Sequence, residues 1–454
     1  MVDGVALTPS GLVGSRRGAA VGVAVWALVV VVAIAWAELD PLAPEAGVHA
    51  APFYGRWGVH DLAGLGPAFA LAVVLMWGWP ALTKGRSVRW TAAAAGIASV
   101  AWALALAASG GVSGVWTPLG NRHGYLGVAP DLDAATFLRT YVDRLAHYPT
   151  HVKGHPPLMP LVLRGLDAVG LDGAGGAAVL TFVVWGLGVA AVVATVAELG
   201  GQSVAASASG PIAVLPAAVF AATTYDAFFT GATALTIAAL VYAARRHGWR
   251  SDAAALVGGA LAAACLHLSY GLAPLALVPA AVMARERRVR PLAVAAVGGG
   301  AVVAAFVAGG FWWLDGLEAT RGFYAEGLSR FRPYGYFVFA GNPAALALAV
   351  GPVVAAGFGA LVGAVVGRAG RARLRAVVAA GWPLLALAAL VAVTAADLTG
   401  LSNAEVERIW LPFMPWLAVA AAVVVGGSAR AQRAWLGASL ALGLVLQAVL
   451  VTPW

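Results

Sequence analysis

Apolar runs long enough to cross a lipid bilayer recur along almost the whole chain. The hydrocarbon core of a bilayer is about 30 Å thick and an α-helix rises about 1.5 Å per residue, so about 20 apolar residues make one crossing. Of the 454 residues, 61% are hydrophobic and only 11% are charged. Backbone polar groups in lipid must be satisfied within the protein, which favours helices. The sequence therefore predicts an all-α polytopic membrane protein.

These runs predict about 11 to 13 transmembrane helices, with 13 if every run is counted. They lie at 20–37, 62–81, 90–108, 176–198, 204–222, 229–245, 253–268, 271–284, 291–312, 343–367, 377–395, 410–428 and 434–452. The pair 253–268 and 271–284 is short and interrupted by Gly and Pro. The segment 158–172 carries Arg164 and Asp167 and is too short to cross, so we expect an interfacial or half-inserted helix there.

The formal net charge of +8 comes from arginines in short loops between the runs. Cytoplasmic loops of membrane proteins are enriched in Lys and Arg, so such loops orient the chain. The loops lie near 84–89, 245–250, 285–290, 368–375 and 430–433. This pattern places the N-terminus in the cytoplasm and the C-terminus outside, and it explains the basic charge without a nucleic-acid partner. The first run lacks a clear cleavage site, so we expect it to be retained as the first crossing.

The sequence predicts one membrane domain, 1–454, without a separate soluble part. It comprises an N-terminal helical hairpin at 20–89, a core at 90–290 with a large outer loop at 109–157, and C-terminal helices at 291–454. The single cysteine, Cys265, excludes an intrachain disulfide and a cysteine-based metal framework.

The outer loop carries an amphipathic segment from Ala134 to His147. Its apolar residues recur at helical spacing, and Asp133 is a plausible N-cap. They are Phe137, Leu138, Tyr141 and Leu145. We expect this helix to lie in the membrane interface, as part of a structured platform on the outer side.

The loop ends in a basic and rigid stretch, 148–157. His151, Lys153 and His155 fall within five residues, and Pro156 and Pro157 follow. Proline fixes φ and lacks an amide donor, so the chain cannot pass smoothly into the next helix. We therefore expect His155 to be held at the edge of a site for an anionic, lipid-linked ligand.

Polar residues of four segments are predicted to meet at the same membrane face. Ionisable groups at the membrane are costly and often functional. The four sets are Asn121, Arg122, His123, Tyr125, Asp131 and Asp133; then His151, Lys153 and His155; then Asp226; and finally Glu405, Glu407 and Arg408. Carboxylates beside fixed cations suit group transfer, in which a carboxylate deprotonates a hydroxyl while cations stabilise a departing phosphate.

Each of these residues also has an ordinary structural interpretation. Asp133 and Asp226 could be helix caps, and Arg408 could pair with Glu405 or Glu407. His151 and Lys153 could be solvated loop residues. Metal binding is weakly indicated, because the residues around His151 and His155 argue against a helix that presents both on one face. We assign no metal ligand, and the sequence leaves open whether a divalent cation is needed.

The order of these features resembles the membrane-embedded GT-C glycosyltransferases, particularly the polyprenol-phosphate-sugar-dependent, protein-mannosyltransferase-like branch. The matching motifs are an outer loop with acids and an amphipathic helix, then His155-Pro156-Pro157-Leu158, then Tyr225-Asp226 at the turn of a later pair of spans. The resemblance covers roughly residues 90–290 by motif. A narrower similarity is to an actinobacterial set that transfers sugars in the mycobacterial cell envelope, including a methylthioxylosyl (methylthiopentosyl) transferase acting on lipoarabinomannan. It rests on 149–157, on Leu268-Ser269-Tyr270-Gly271 and on 407–413.

The resemblance implies an inverting transfer, outside the cytoplasmic membrane, from a polyprenyl-phosphate sugar to a cell-envelope glycan of the lipoarabinomannan or arabinogalactan type. It implies that Asp131 or Asp133 is the base and that Asp226 is the second important carboxylate. The implied phosphate-side residues are Lys153, His155, His151 and Arg408, and the implied acceptor-side residues are Tyr125, Arg122, Tyr270 and Glu407. The sequence departs from the family at Gly124, where an acid usually precedes the tyrosine, so Glu38 and Asp40 remain reserve candidates for the base.

Two other function classes stay open at this stage. A transporter or flippase for polyprenyl-linked sugars or lipids would need binding groups near the bilayer midplane and repeated discontinuous helices. The break around Ser269-Tyr270-Gly271 is the one hint of that arrangement. A non-enzymatic scaffold would leave the convergence of polar residues without a role.

Overall fold

The computed structural model describes residues 16–60, 62–130, 132–366, 370–426 and 428–453. These residues are almost entirely helical, which confirms the all-α polytopic class. The α-helices are Arg16–Leu39, Gly66–Thr83, Val88–Ala107, Ala134–Thr140, Thr150–Gly154, Leu158–Ala168, Gly173–Ala213, Ala218–Ala221, Asp226–Arg245, Trp249–Leu268, Leu277–Glu286, Arg290–Ala308, Trp313–Glu326, Tyr334–Tyr336, Asn342–Val350, Pro352–Val365, Gly370–Ala380, Trp382–Leu398, Val406–Ile409, Met414–Leu417, Ala422–Val425 and Ala429–Val449.

Eight stretches of the described residues are long and apolar enough to cross a membrane, or ten if two bent pairs each count once. This is fewer than the predicted 11 to 13. One reason is that Gly173–Ala213 contains two of the predicted crossings, separated by a break at Gly201, where φ is +79°. Glu198, before the break, pairs with Arg245 at the end of Asp226–Arg245, so the chain must return across the bundle before Asp226.

Two other predicted crossings are sharply bent. Asn342–Val350 and Pro352–Val365 belong to a pair bent by 103°, and Gly370–Ala380 and Trp382–Leu398 meet at 96°. The breaks fall at Gly351 and Gly381, where φ is +81° and +79°, a region that residues with a Cβ rarely enter. A proline follows Gly351 directly, and it cannot continue an incoming helix.

The bundle has two chemically different ends. The first, which we call the polar end, joins the loops predicted to lie together: the Tyr54 amide donates to Glu407 at 3.1 Å, and the Tyr225 hydroxyl donates to the Leu119 carbonyl at 3.1 Å. The basic end holds the arginine-rich loops, where Arg290 pairs with Asp252 at 2.6 Å. Loops that are distant in the sequence therefore meet at the polar end.

The outer loop folds largely as predicted. Asp133 caps Ala134–Thr140 by accepting from the Thr136 amide at 2.9 Å. The helix is shorter than 134–147, because a 3-10 turn at Leu145–His147 completes the segment. Its apolar face is buried through Phe137, Tyr141 and Leu145. Leu158–Ala168 has 11 residues and is too short to cross, as predicted.

A small three-stranded sheet closes the polar end. Val48–His49 runs parallel to Gly55–Trp57, and Leu450–Val451 pairs antiparallel with Gly55–Trp57. The sheet attaches the loop after the first helix to the last helix, Ala429–Val449.

Candidate functional site

Arg408 lies between two carboxylates at the polar end. Its Nη1 donates to Asp226 Oδ2 at 3.0 Å, and its Nη2 donates to Glu405 Oε2. The side chains of Arg408 and Asp226 are 8% and 7% exposed. Glu405 also accepts from Arg332, at 3.1 Å. Two acids and two arginines therefore form a buried network whose formal charges cancel.

Asp226 is placed by the helix that it begins, Asp226–Arg245. This helix packs closely on Gly173–Ala213 because glycines meet at the crossing. A Cβ on Gly231 would stand 2.0 Å from the Val184 carbonyl oxygen, and one on Gly188 would stand 2.4 Å from the Gly231 Cα. The tight crossing fixes the first turn of the helix, and with it the Asp226 carboxylate.

Glu405 is presented by a strained turn. Ala404 and Glu405 have φ of +67° and +62°, which costs about 1–2 kcal/mol per residue for side chains with a Cβ. Asn342 holds this turn: its Oδ1 accepts from the Ala404 amide at 3.3 Å, and its Nδ2 donates to the Ser402 carbonyl and to Asp397. Arg332 adds a hydrogen bond to the Asn403 carbonyl at 2.8 Å.

The two histidines approach from the loop before the proline pair. His155 Nδ1 donates to the His151 carbonyl at 2.9 Å, and the Tyr141 hydroxyl donates to the backbone carbonyls of Val152 and His155. The His151 amide donates to the His123 carbonyl at 2.9 Å. The rigid stretch is therefore anchored on the outer loop.

Both histidines are neutral at neutral pH. Burial, with Arg408 next, lowers the pKa of His151 to about 3, and burial likewise lowers the pKa of His155, although Asp226 opposes this shift. A carbonyl oxygen can only accept, so Nδ1 of His155 carries the proton and Nε2 holds a free electron pair. His155 can therefore accept a proton at Nε2.

A small cavity lies where these groups meet, which we call the polar cavity. It encloses about 20 Å³, room for about one water molecule. Its lining consists of Pro118, Asn121, Tyr125, His151, His155, Thr223, Thr224, Tyr225, Asp226, Phe229 and Arg408. Burial, followed by the nearby Asp226 carboxylate, holds the pKa of Tyr125 well above its usual value, so this tyrosine stays protonated and can donate.

Six of the residues singled out from the sequence line the polar cavity: Asn121, Tyr125, His151, His155, Asp226 and Arg408. The remaining candidates divide into two groups. One group is exposed at the surface, and the other is engaged in contacts outside the polar cavity.

Asp133 and Arg122 belong to the exposed group. Asp133 serves as a helix cap, and Arg122 contacts its neighbour His123 at 3.3 Å, so neither lines the polar cavity. The reserve acids Glu38 and Asp40 are exposed at the end of the first helix. Asp131 lies outside the described residues. The implied roles of Asp133 as base and of Arg122 at the acceptor therefore lack support from their positions.

Lys153, Tyr270 and Glu407 are turned toward other partners. Lys153 Nζ lies 4.3 Å from the centre of the Phe323 ring, and Tyr270 packs edge-on against Trp313 at 5.2 Å. Glu407 is fully buried and accepts from the Tyr54 amide. Of the two suggested partners of Arg408, the structure therefore selects Glu405.

The sequence provides no strong indication that Glu405 and Arg332 belong to the buried network around Arg408. Burial raises the pKa of Glu405, but Arg408 and Arg332 outweigh this effect and hold that pKa below its usual value. Arg332 is 5% exposed although it follows an aromatic-rich loop segment. A cation among aromatic residues is as typical of a membrane interface as of a buried network, so the sequence held no decisive signal.

Among the described residues, no group of three or more His, Cys, Asp or Glu side chains is arranged to hold a metal ion. His151 and His155 are linked through a backbone carbonyl, and Asp226 is engaged by Arg408.

A second and much larger cavity runs between helices. This groove, which we call the apolar groove, is bounded by Arg16–Leu39, Asn342–Val350, Pro352–Val365 and Trp382–Leu398, and it has a volume of about 950 Å³. It extends from Arg17 to Asp397 and Trp410, so one end lies beneath the turn that presents Glu405.

Comparison with known proteins gives no significant similarity to a family model, to a curated protein or to a solved structure.

Proposed function

We propose that this multi-pass protein is a glycosyltransferase of the GT-C type. It would move a sugar from a polyprenyl-phosphate donor to a cell-envelope glycan at the outer face of the cytoplasmic membrane, with inversion. The observation that carries the proposal is the convergence of Asp226, His155 and Arg408 on one cavity at the polar end. These groups supply a proton acceptor and a fixed cation beside each other, as transfer from a phosphate ester requires.

Each group has a distinct role in this proposal. His155 Nε2 or the Asp226 carboxylate takes the proton of the acceptor hydroxyl, whose oxygen attacks the anomeric carbon. The bond from that carbon to the phosphate oxygen breaks, and the polyprenyl phosphate leaves with the bonding electrons. Arg408 stabilises the charge that grows on this phosphate, and Tyr125 offers a neutral donor.

The small size of the polar cavity has a consequence for this mechanism. A volume of about 20 Å³ cannot hold a sugar, so the loops over Asp226 must separate when the donor binds. The turn at Ala404 and Glu405 is the natural place for such movement, because its strain is released when it opens. Release of Glu405 would also free one side of Arg408 for the phosphate.

The donor sugar and the acceptor rest on resemblance alone. A methylthiopentose and a lipoarabinomannan-type glycan are the specific pair proposed on that basis. No divalent ion is assigned a role, since Asp226 and Glu405 are paired with Arg408 and Glu407 accepts from a backbone amide.

A transfer assay in membranes tests the proposal. Membranes containing the wild-type protein are incubated with labelled polyprenyl-phosphate hexoses and pentoses and with envelope glycan. We expect labelled glycan with the wild type, and a loss of at least 100-fold with Asp226→Asn and with His155→Ala. Asp252→Asn, in an ion pair at the basic end, is the matched control and should transfer normally. Normal transfer by both Asp226→Asn and His155→Ala would contradict the proposal.

A lipid or lipid-linked sugar transporter is the second candidate, and the apolar groove and the helix breaks at Gly351 and Gly381 favour it. The same membranes distinguish the two functions. Movement of a labelled lipid across reconstituted vesicles without formation of a glycosidic bond would favour the transporter.

A further inference from the structure

The apolar groove has an unusual distribution of charge. Among the described residues that line it, Arg17 and Asp397 carry the charges, and they lie at opposite ends. Nearly all other lining residues are apolar, including Val21, Val25 and Val29 of the first helix. A volume of about 950 Å³ is at the upper end of the range for ligand sites in proteins. Such a groove suits an amphipathic molecule that has one anionic end.

The length of the groove matches one leaflet of a bilayer. The 13 helical residues from Arg17 to Val29 make 12 steps of about 1.5 Å, or about 18 Å. One leaflet occupies about half of the 30 Å hydrocarbon core. Acyl chains that start at Arg17 would therefore run along Val21, Val25 and Val29, toward the end of the groove that holds Asp397.

The charges fix the direction of such a ligand. Arg17 is exposed and has no carboxylate partner among the described residues, so it can bind a phosphate. At the other end, Asp397 accepts from Asn342 at 2.8 Å and would repel a phosphate. A polyprenyl phosphate with its phosphate at the polar end would meet this carboxylate, whereas a phospholipid with its phosphate at Arg17 avoids it.

A short helix makes the same end of the groove basic. Gly370–Ala380 follows the groove-lining helix Pro352–Val365 and is bent by 96° from Trp382–Leu398. It exposes Arg371, Arg373 and Arg375, together with the apolar Leu374 and Val378. An amphipathic, basic helix across the direction of a span is typical of the headgroup layer and attracts anionic lipids.

We propose that the apolar groove is a binding site for an anionic phospholipid, with its phosphate at Arg17 and its acyl chains along Val21, Val25 and Val29. The site belongs to the leaflet at the basic end and is distinct from the polar cavity. It does not depend on the proposed glycosyltransferase activity.

Native mass spectrometry of the full-length protein in detergent tests this site with phosphatidylglycerol and phosphatidylethanolamine as probes. We expect one retained phosphatidylglycerol, and little phosphatidylethanolamine at equal concentration. Arg17→Gln should weaken phosphatidylglycerol binding by about tenfold, since a charge-assisted hydrogen bond to phosphate is worth about 1.5 kcal/mol or more. Arg250→Gln, an exposed arginine elsewhere at the basic end, is the control and should bind as the wild type does.

A second pair of variants tests the groove itself. Val25→Trp would fill it, whereas Val74→Trp places the same bulk on an exposed helix face outside its lining. We expect Val25→Trp to lose the lipid and Val74→Trp to retain it. Equal binding of the two lipids with no effect of Arg17→Gln would overturn the proposal. Displacement of phosphatidylglycerol by a polyprenyl phosphate, again without effect of Arg17→Gln, would assign the groove to a polyprenyl chain instead.

Discussion

Arg408 Nη1 and Asp226 Oδ2 are separated by 182 positions in the sequence, and they lie 3.0 Å apart in the buried centre of the polar end. The pair joins the first turn of the span Val406–Val425 to the first turn of Asp226–Arg245. Removing water from two charges costs several kcal/mol per ion, so the pair persists only with its additional partners. Glu405 and Arg332 are those partners, which makes the network interdependent.

The first prediction concerns this interdependence. Arg408→Gln removes a cation from between the buried Asp226 and Glu405 carboxylates. It should therefore lower the free energy of unfolding by about 3–5 kcal/mol. The double variant Asp226→Asn/Arg408→Gln should lose less than the sum of the two single variants. Chemical denaturation in detergent measures all three.

The exposed pair at the basic end is the control for that measurement. The Arg290 and Asp252 side chains are 74% and 28% exposed, so Arg290→Gln should lower the free energy of unfolding much less than Arg408→Gln does. Equal losses for Arg290→Gln and Arg408→Gln would contradict the role given to burial.

The second prediction concerns the strained turn. Ala404→Gly removes a Cβ from a residue at φ +67° and should raise stability by about 1 kcal/mol. Ala93→Gly, at an exposed position inside Val88–Ala107, should instead lower it by about 0.5–1 kcal/mol. Thermal unfolding in detergent compares the two, and a loss of stability in Ala404→Gly would show that the turn is not strained.

The third prediction concerns pH. The pKa of His151 is about 3 in the folded chain, against an ordinary value of 6.5. Below pH 6.5 the unfolded chain therefore binds a proton at this residue that the folded chain does not bind. Stability should therefore fall as pH falls from about 6.5 toward about 3, with a slope of up to about 1.4 kcal/mol per pH unit from this residue.

Variants isolate that contribution from the carboxylates that titrate in the same range. His151→Gln should flatten the pH dependence of unfolding relative to the wild type, and the exposed His147→Gln should leave it unchanged. Superimposable curves for the wild type and His151→Gln would contradict the assigned neutral state.

The fourth prediction concerns the helix crossing that places Asp226. Gly231→Ala would set a Cβ 2.0 Å from the Val184 carbonyl oxygen, so the helices must separate, at a cost of about 1–3 kcal/mol. The transfer activity of this variant should fall together with its stability. Gly78→Ala, where a Cβ would meet no atom within 4 Å, should unfold at or above the wild-type temperature.

Hydrophobic runs, proline pairs and charged loops were sufficient to predict the class and six residues of the polar cavity. Each of these features acts within one segment or through contact with the membrane. Each can therefore be recognised in a single stretch of sequence. The His155-Pro156-Pro157 stretch and the Asp133 cap are examples.

The sequence could not show which carboxylate pairs with Arg408. Glu405 and Glu407 are both close in sequence, and the choice depends on left-handed backbone at Ala404 and Glu405, which Asn342 and Arg332 hold from distant segments. The number of crossings depends on a related feature. Glycine breaks at Gly201, Gly351 and Gly381 bend or merge helices without changing the apolar character of the runs.

The most direct test of the central claim is the glycan composition of the cell envelope in a strain that lacks this protein, complemented in turn by the wild type, Asp226→Asn and Asp252→Asn at equal protein levels. The account predicts that one sugar substituent disappears in the deletion strain. It should return with the wild type and with Asp252→Asn, and stay absent with Asp226→Asn. Full restoration by Asp226→Asn, or an unchanged glycan in the deletion strain, would contradict the account.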